Sequence, residues 1–445
     1  LENPVENSSR NPYFVYMSEI HRGKGVVPQM GIARVLIVFA LFATPIAGNE
    51  HQTATPAKPA ALGTTLAKGV TYERRALRTP AGEPWSVHVL RVSRTARDVQ
   101  IRAASAPGEM RRALPTEIAR QEVKPGEELL AVVNGDYDIA TPFLGVSDGL
   151  SITSGYLWTT GKLTWPALGL RKNGEPLIGV PQVKLELKIG ARRLHVGAMN
   201  KPLGSVHGFG PRVYTREFRE RVTSAQPFRA VVIGDLSRYR PLRANENVRG
   251  RILKVEEGSN NVEVPEDAIV VAQRLDSCPP VGIPASFCAV PFSVGTRVEV
   301  HFEVSLAGRR DIPHVIGGFP IIAQNGRPTI VGEPSANLAL RHPRTAVCYN
   351  PREIVFVVVD GRQAQLSVGM TLEELGDLMV SLGCSEAMNT DGGGSSVMAV
   401  TLPPTESATT ATSGARQAAS LRIVNSPSDG KERGRGNAWV ILKRK

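Results

Sequence analysis

From about Val70 onward, short runs in which apolar and polar positions alternate dominate the chain. Trp85-Ser-Val-His-Val-Leu-Arg-Val92 alternates as a half-buried strand does, and Val298-Glu-Val-His-Phe-Glu-Val304 alternates most cleanly. Similar extended runs fall at Val99 to Ala103, Leu129 to Val133, Val183 to Ile189, Arg229 to Ile233, Arg251 to Val255 and Ala268 to Ala272. Ile354 to Val359 differs in kind: an unbroken apolar, β-branched run predicts a strand covered on both faces. Helical spacing is scarce. One helix is predicted near Thr116 to Glu122. A stronger one follows Thr371, which serves as N-cap with Glu374 completing a capping box; Leu372, Leu375, Leu378, Met379 and Leu382 share one face, and Gly383 is the stop. Many strands, few helices and no regular βαβ alternation predict an α+β fold, a strand-rich mixed sheet with few helices in one large domain.

The 445 residues, 42% of them hydrophobic and 21% charged, suffice for a substantial core. Residues 1–50 read as an address rather than structure. Arg34 precedes the apolar run Val35 to Ala43, which is too short to span a bilayer comfortably and suits the core of a signal peptide, with small residues at Ala47 and Gly48 beyond it. Export is therefore expected, to the periplasm, the cell envelope or outside the cell. Membrane anchoring by an uncleaved 34–47 segment is the alternative. Residues 51–69, rich in Ala, Thr and Pro, read as a linker, and 70–445 as the folded domain, with 201–310 as a β-rich elaboration.

A formal net charge of +12 favours anionic ligands. The cations are scattered and form no aromatic-interleaved stripe, so no nucleic-acid partner is expected. Of the four cysteines, Cys278 and Cys288 bracket a Pro-rich loop that a disulfide would close in an oxidising compartment. Cys348 and Cys384 either pair or stay buried as small hydrophobes. No basic partner is marked beside any of them, which argues against a catalytic thiol.

The densest chemistry lies in Ala387-Met-Asn-Thr-Asp-Gly-Gly-Gly-Ser-Ser-Val-Met398. One carboxylate, Asp391, one amide, Asn389, and the hydroxyls of Ser395 and Ser396 surround Gly392, Gly393 and Gly394. Without Cβ atoms there, backbone N–H groups can approach an anionic oxygen closely. The bland alternative is a tight turn whose polar groups cap the backbone. Upstream, the apolar strand ends in Asp360-Gly-Arg362, and Arg344-Thr345 stands before it. Arg344 offers a planar donor fork suited to phosphate, or else a salt bridge to Asp360.

The ordered set Arg344-Thr-Ala346, Val357-Val-Val-Asp-Gly-Arg362, Gly369-Met-Thr-Leu-Glu-Glu-Leu375 and Asn389-Thr-Asp-Gly-Gly-Gly-Ser-Ser396 resembles the phosphodiester glycosidase family. Further matches are Ala131-Val-Val-Asn-Gly-Asp-Tyr137, Gly317-Gly-Phe-Pro-Ile-Ile322 and Asn425-Ser-Pro-Ser-Asp-Gly430, so that the resemblance covers most of 85–441. It implies hydrolysis of a sugar 1-phosphodiester at the anomeric carbon, releasing free sugar and a phosphomonoester, with a phosphoglycan or sugar phosphodiester as substrate. A phosphate leaving group needs little acid assistance; it needs a carboxylate near the anomeric carbon and donors that hold the diester. Asp391 is the first candidate for that carboxylate, with Asp360 and Asp136 as rivals. Arg344, Thr345, Arg362, Ser395, Ser396 and the Gly392 to Gly394 amides are candidates for holding phosphate, and Asn134, Gly135 and Asn389 for reading sugar hydroxyls.

No cofactor is called for, and a divalent cation enters only if Asp136, Asp138, Asp360 and Asp391 converge. Family members often carry an aromatic residue one position after Tyr137, where this chain has Asp138. A serine hydrolase is disfavoured, because Gly-Gly-Ser-Ser-Val lacks the glycine that follows the nucleophile in an elbow turn. A non-catalytic exported glycan or cell-wall binding module is the functional alternative.

Overall fold

A computed structural model describes residues 63–107, 111–162, 164–204, 210–238, 241–278, 286–403 and 419–445, all within one compact unit, Lys58–Lys445. The signal-peptide and anchor readings lie outside the described residues. The first described strand, Gly63–Ala67, falls inside the stretch read as linker.

Strands dominate, arranged in four sheets. Rather than one mixed sheet, the ladders among the described residues are antiparallel except for a two-residue parallel pairing of Ala198–Met199 with Arg212–Tyr214. The helical share is slight: Pro115–Glu122, Leu372–Ser381 and a short turn of helix at Ala336–Ala339 that carries no sequence periodicity.

The first eight-stranded sheet holds the unbroken apolar run at its centre. Glu353–Val359 pairs on one side with Pro84–Ser93 and on the other with Arg344–Tyr349, which in turn pairs with Glu386–Asn389. Both faces of the central strand are covered, which is why it shows no alternation. Val355, Val357 and Val359 pack against Leu372, Leu375 and Met379 of the capped helix. Phe356 and Val358 face the opposite way, into a core shared with Val133, Met398 and Trp439. Those three come from a five-stranded sheet ordered Ser420–Ile423, Met398–Leu402, Glu127–Asn134, Asn437–Arg444, Val99–Ser105. The Thr371 and Glu374 capping box is formed as its spacing demands.

The second eight-stranded sheet spans residues 182–305 and includes Arg297–Ser305, whose regular alternation of buried and half-exposed positions follows its sequence pattern. This sheet begins earlier than the 201–310 elaboration read from composition. The remaining five-stranded sheet contains Ser151–Thr153, His314–Gly317 and Ala167–Leu170. Both cysteine pairs are disulfides: Cys278 to Cys288, and Cys348 to Cys384 across the first sheet and the end of its helix. No described helix is long and apolar enough to cross a membrane.

Candidate active site

Three strand ends meet at one place. Asn134, the last residue of Glu127–Asn134, accepts from the Thr345 hydroxyl at 2.9 Å and the Val397 amide at 3.0 Å, and its Nδ2 donates to the Asp391 carbonyl at 2.8 Å. The Asp391 amide donates to the Gly135 carbonyl at 3.3 Å. A Cβ on Gly135 would lie 2.0 Å from Asn437 Oδ1, so only glycine permits this approach. Asn134, Thr345 and the Asp391 backbone are thus tied together, while of positions 134, 344, 360 and 391 only Arg344 and Asp391 line the adjoining cavity. Asn134 and Thr345, however, spend their polar atoms tying the strand ends together.

Asp391 is 9% exposed, and its Oδ2 lies 2.6 Å from Nη2 of Arg435. Arg435, 3% exposed, also sits 3.2 Å from Asp138 Oδ1 and donates to Ser395 Oγ at 3.0 Å. Burial pushes the Asp391 carboxyl above the ordinary carboxylate range, opposed by the Arg435 charge and a hydrogen bond with Ser395. The Asp138 side chain, a possible cation ligand by sequence, is buried and clamped between Arg112, at 2.5 Å, and Arg435. Arg435 was not singled out from sequence. Its signal is the pattern Gly434-Arg-Gly436, because a Cβ on Gly436 would lie 2.1 Å from the Gly145 carbonyl.

In front of Asp391 opens a cavity of about 480 Å³. Gly392 and Gly393 form part of its wall, with the cations Arg344 and Arg362 and the imidazole of His342. Tyr137, Trp165 and Phe319 also line it, together with Glu333, Ser335, Asn337 and Leu338. Trp165 stacks on Phe319 with centroids 5.1 Å apart and meets Tyr137 edge-on at 5.5 Å. Lys162 Nζ lies 4.0 Å from the Trp165 ring centre and 2.6 Å from Asp148. The aromatic missing after Tyr137 therefore has a counterpart from another segment, Trp165, which the sequence reading passed over.

Arg344 is buried beside the cavity and has no carboxylate partner among the described residues, so the salt bridge to Asp360 is absent. Its Nε donates to the Met370 carbonyl at 2.8 Å, and its Nη2 to Leu338 and Leu340 carbonyls at 2.8 and 2.6 Å. It therefore straps the rim while presenting charge to the cavity; burial pulls its pKa below the usual value. Arg362, exposed and at φ 60°, donates to His342 Nδ1 at 3.2 Å, which leaves Nε2–H to donate to the Asn337 carbonyl at 2.8 Å. Burial, with the two neighbouring arginines, lowers the His342 pKa and favours this neutral form.

Other candidates sit behind the wall. Asn389 is buried, and its Nδ2 donates to the Tyr137 hydroxyl at 2.8 Å and the Phe319 carbonyl at 2.7 Å, bracing the aromatic side, while its Oδ1 has no partner among the described residues. The glycine turn closes on itself: the Gly393 amide donates to Pro343, Ser395 to Gly392 and Ser396 to Gly393. Gly394 packs against Arg433 and Asp429, Ser395 serves Arg435, and Ser396 is buried. None of these last three lines the cavity.

The rival carboxylates also lie elsewhere. Asp136 accepts at Oδ1 from the Tyr137 amide at 2.8 Å, and at Oδ2 from Ser147 Oγ and the Gly149 amide. Cβ atoms on Gly149 or Gly317 would come within 2.6 or 2.7 Å of Oδ2, so the carboxyl is walled in. Burial pushes its pKa above the ordinary carboxylate value and pulls that of its buried neighbour Lys201 below the ordinary lysine value. Asp360 holds His88 Nε2 at 2.9 Å and accepts from the Ser426 amide at 2.8 Å. Burial would raise its pKa, but the hydrogen bond and charge of His88 and the Ser426 amide outweigh it, and the net shift is downward. Its stabilising contribution is therefore present above the ordinary carboxylate pKa and is lost as pH falls through the lowered folded value. Asp360→Asn is expected to destabilise the fold by about 2–4 kcal/mol in denaturant titration, with kcat of the folded fraction changed only a few-fold. A complete loss of kcat at unchanged stability would restore Asp360 to the chemistry. Among the described residues no group of three or more His, Cys, Asp or Glu could hold a metal ion.

Comparison with known proteins supports the family read from the motifs. Residues 245–442 match the phosphodiester glycosidase family model. No curated protein matches the chain. A crystal structure of a Synechocystis protein aligns with a TM-score of 0.65 and 17% identity over 87% of this chain; the chain covers 64% of that protein, less than two thirds of its length. A protein described as exported, from Burkholderia pseudomallei, aligns with a TM-score of 0.59 and 21% identity over 82% of this chain and 75% of that one. At such identities these two show the fold alone. The catalytic domain of zebrafish N-acetylglucosamine-1-phosphodiester alpha-N-acetylglucosaminidase also aligns, at 13% identity and a TM-score of 0.40, over 87% of this chain and 84% of that one. With its ordered motifs and the 245–442 match taken together, the chain resembles the phosphodiester glycosidase family.

Proposed function

We propose that the protein hydrolyses a sugar 1-phosphodiester at the anomeric carbon, releasing free sugar and leaving a phosphomonoester. The observation that carries this reading is Asp391, a carboxylate pinned by Arg435 at the edge of a cavity that also presents two arginines and an aromatic wall.

The chemistry follows from what each group can do. Arg435 holds Oδ2 of Asp391, with Ser395 beside it, and the carboxylate supplies negative charge near the anomeric carbon, where positive charge develops as the phosphate departs. The departing group is already a stable anion, so the site has little need of a strong acid. Arg362 and Arg344 hold the diester through charge-assisted hydrogen bonds. The apolar face of the sugar rests on the Tyr137, Trp165 and Phe319 side, where Trp165 stacks on Phe319 and Asn389 holds the Tyr137 hydroxyl and the Phe319 carbonyl. Glu333 at the rim is the second carboxylate of the cavity and the candidate base for the attacking water. Export fits the two disulfides, which persist in oxidising compartments.

Incubating the purified protein with a panel of sugar 1-phosphodiesters, with and without chelator, tests the proposal. Reducing sugar and phosphomonoester are expected in equal amounts from at least one member. Binding without release from any member would favour the glycan-binding alternative.

A further inference from the structure

At the other end of the central strand lies a polar groove of about 600 Å³. Its floor includes Val92 and Ile354, cross-strand partners at the start of Glu353–Val359, whereas the candidate active site gathers at the Val359 end. Seven residues of strand put the two about 20 Å apart. Five cations line the groove, Arg94, Arg97, Arg102, Arg171 and Lys172, against one carboxylate, Glu175.

These cations differ in their partners. Arg102 is neutralised by Glu122 and Glu127, and Arg171 by Glu175 and Asp311. Arg94 donates to the Asn350 carbonyl at 2.8 Å, and neither it, Arg97 nor Lys172 has a carboxylate partner among the described residues. All three are exposed. Arg94 and Arg97 rise from the turn after Pro84–Ser93, while Lys172 rises from the hairpin turn after Ala167–Leu170. Uncompensated charge thus stands on two separate segments bordering one concave strip, an arrangement that suits successive anionic groups better than a single one.

We propose that this groove binds a phosphate-bearing glycan polymer, holding a stretch of chain remote from the bond that is cleaved. The proposal deepens the hydrolase reading and rests on it for the polymer's identity. Its recognition element is charge at Arg94, Arg97 and Lys172. Counterion release makes such binding steeply salt-dependent.

The test measures binding of sodium polyphosphate at low and moderate salt, with neutral dextran as control. Arg97→Glu combined with Lys172→Glu is expected to weaken polyphosphate binding about tenfold or more and to flatten its salt dependence. Arg249→Glu with Arg251→Glu makes the same change in net charge at another basic cavity and is expected to keep affinity within about twofold. Equal losses from both pairs would reduce the effect to overall charge and overturn the proposal, as would polyphosphate binding no tighter than dextran. A small sugar 1-phosphodiester cannot span about 20 Å, so its turnover is expected to be the same in wild type and both variants. Absence of that turnover in wild type would sink the hydrolase reading while leaving the polyphosphate result to stand or fall separately.

Discussion

Asp391→Asn is expected to lower kcat on a sugar 1-phosphodiester by about a thousandfold or more, equivalent to roughly 4 kcal/mol of transition-state stabilisation. The substitution keeps the shape of the side chain and removes the negative charge that would face the anomeric carbon. Substrate binding should survive, because the arginines and the aromatic wall are untouched. The pH profile supplies an independent readout. Burial raises the Asp391 pKa, so wild-type activity is present at higher pH and falls away on acidification along a limb above the ordinary carboxylate range. The residual rate of the Asn variant should lack that limb. Wild-type kcat in a folded Asn variant would remove Asp391 from the mechanism.

Arg435→Leu carries the second large effect, and it falls on stability first. The guanidinium lies between the buried carboxylates of Asp391 and Asp138. Taking away one member of a buried charge network leaves the others without compensation, at a cost of about 3–5 kcal/mol. Denaturant titration measures this directly. Arg435→Lys separates fold from function: it restores a positive charge but not the fork that reaches Ser395, Asp138 and Asp391 together. Partial recovery of stability with kcat still depressed is the expected result. A Leu variant as stable and as active as wild type would show that the pair is dispensable.

The strands were legible where their pattern reflects one clear environment. Arg297–Ser305 alternates because one face is covered, and Glu353–Val359 does not because both are. The capped helix was legible because its stop and start are chemical signals within a few residues. How the strands divide among four sheets was not, since pairing partners leave little trace in a single sequence. At the site, the candidate residues divide: Arg344, Arg362, Asp391, Gly392 and Gly393 line the cavity, and the others sit behind it. Asn134, Asp136 and Asp360 carry the residue types of a sugar or phosphate site, yet their polar atoms are consumed by neighbouring backbone and side chains; Asn389 spends its Nδ2 in the same way, while its buried Oδ1 has no partner among the described residues. A sequence shows that an amide or carboxylate is present but not which way it faces. Trp165, His342 and Arg435 were missed for the converse reason: each stands outside the motifs and reaches the cavity or Asp391 only through the fold.

Asp391 takes its counter-charge from position 435, and the following segment, Asn437–Arg444, is an interior strand rather than an edge. A cut that released residues 434–445 would therefore do more than remove a surface segment. It would withdraw a strand from between Glu127–Asn134 and Val99–Ser105 and strip the acid of its cation in a single cut. Proteolysis at that one point would unseat the Asp391 carboxylate without touching the glycine turn.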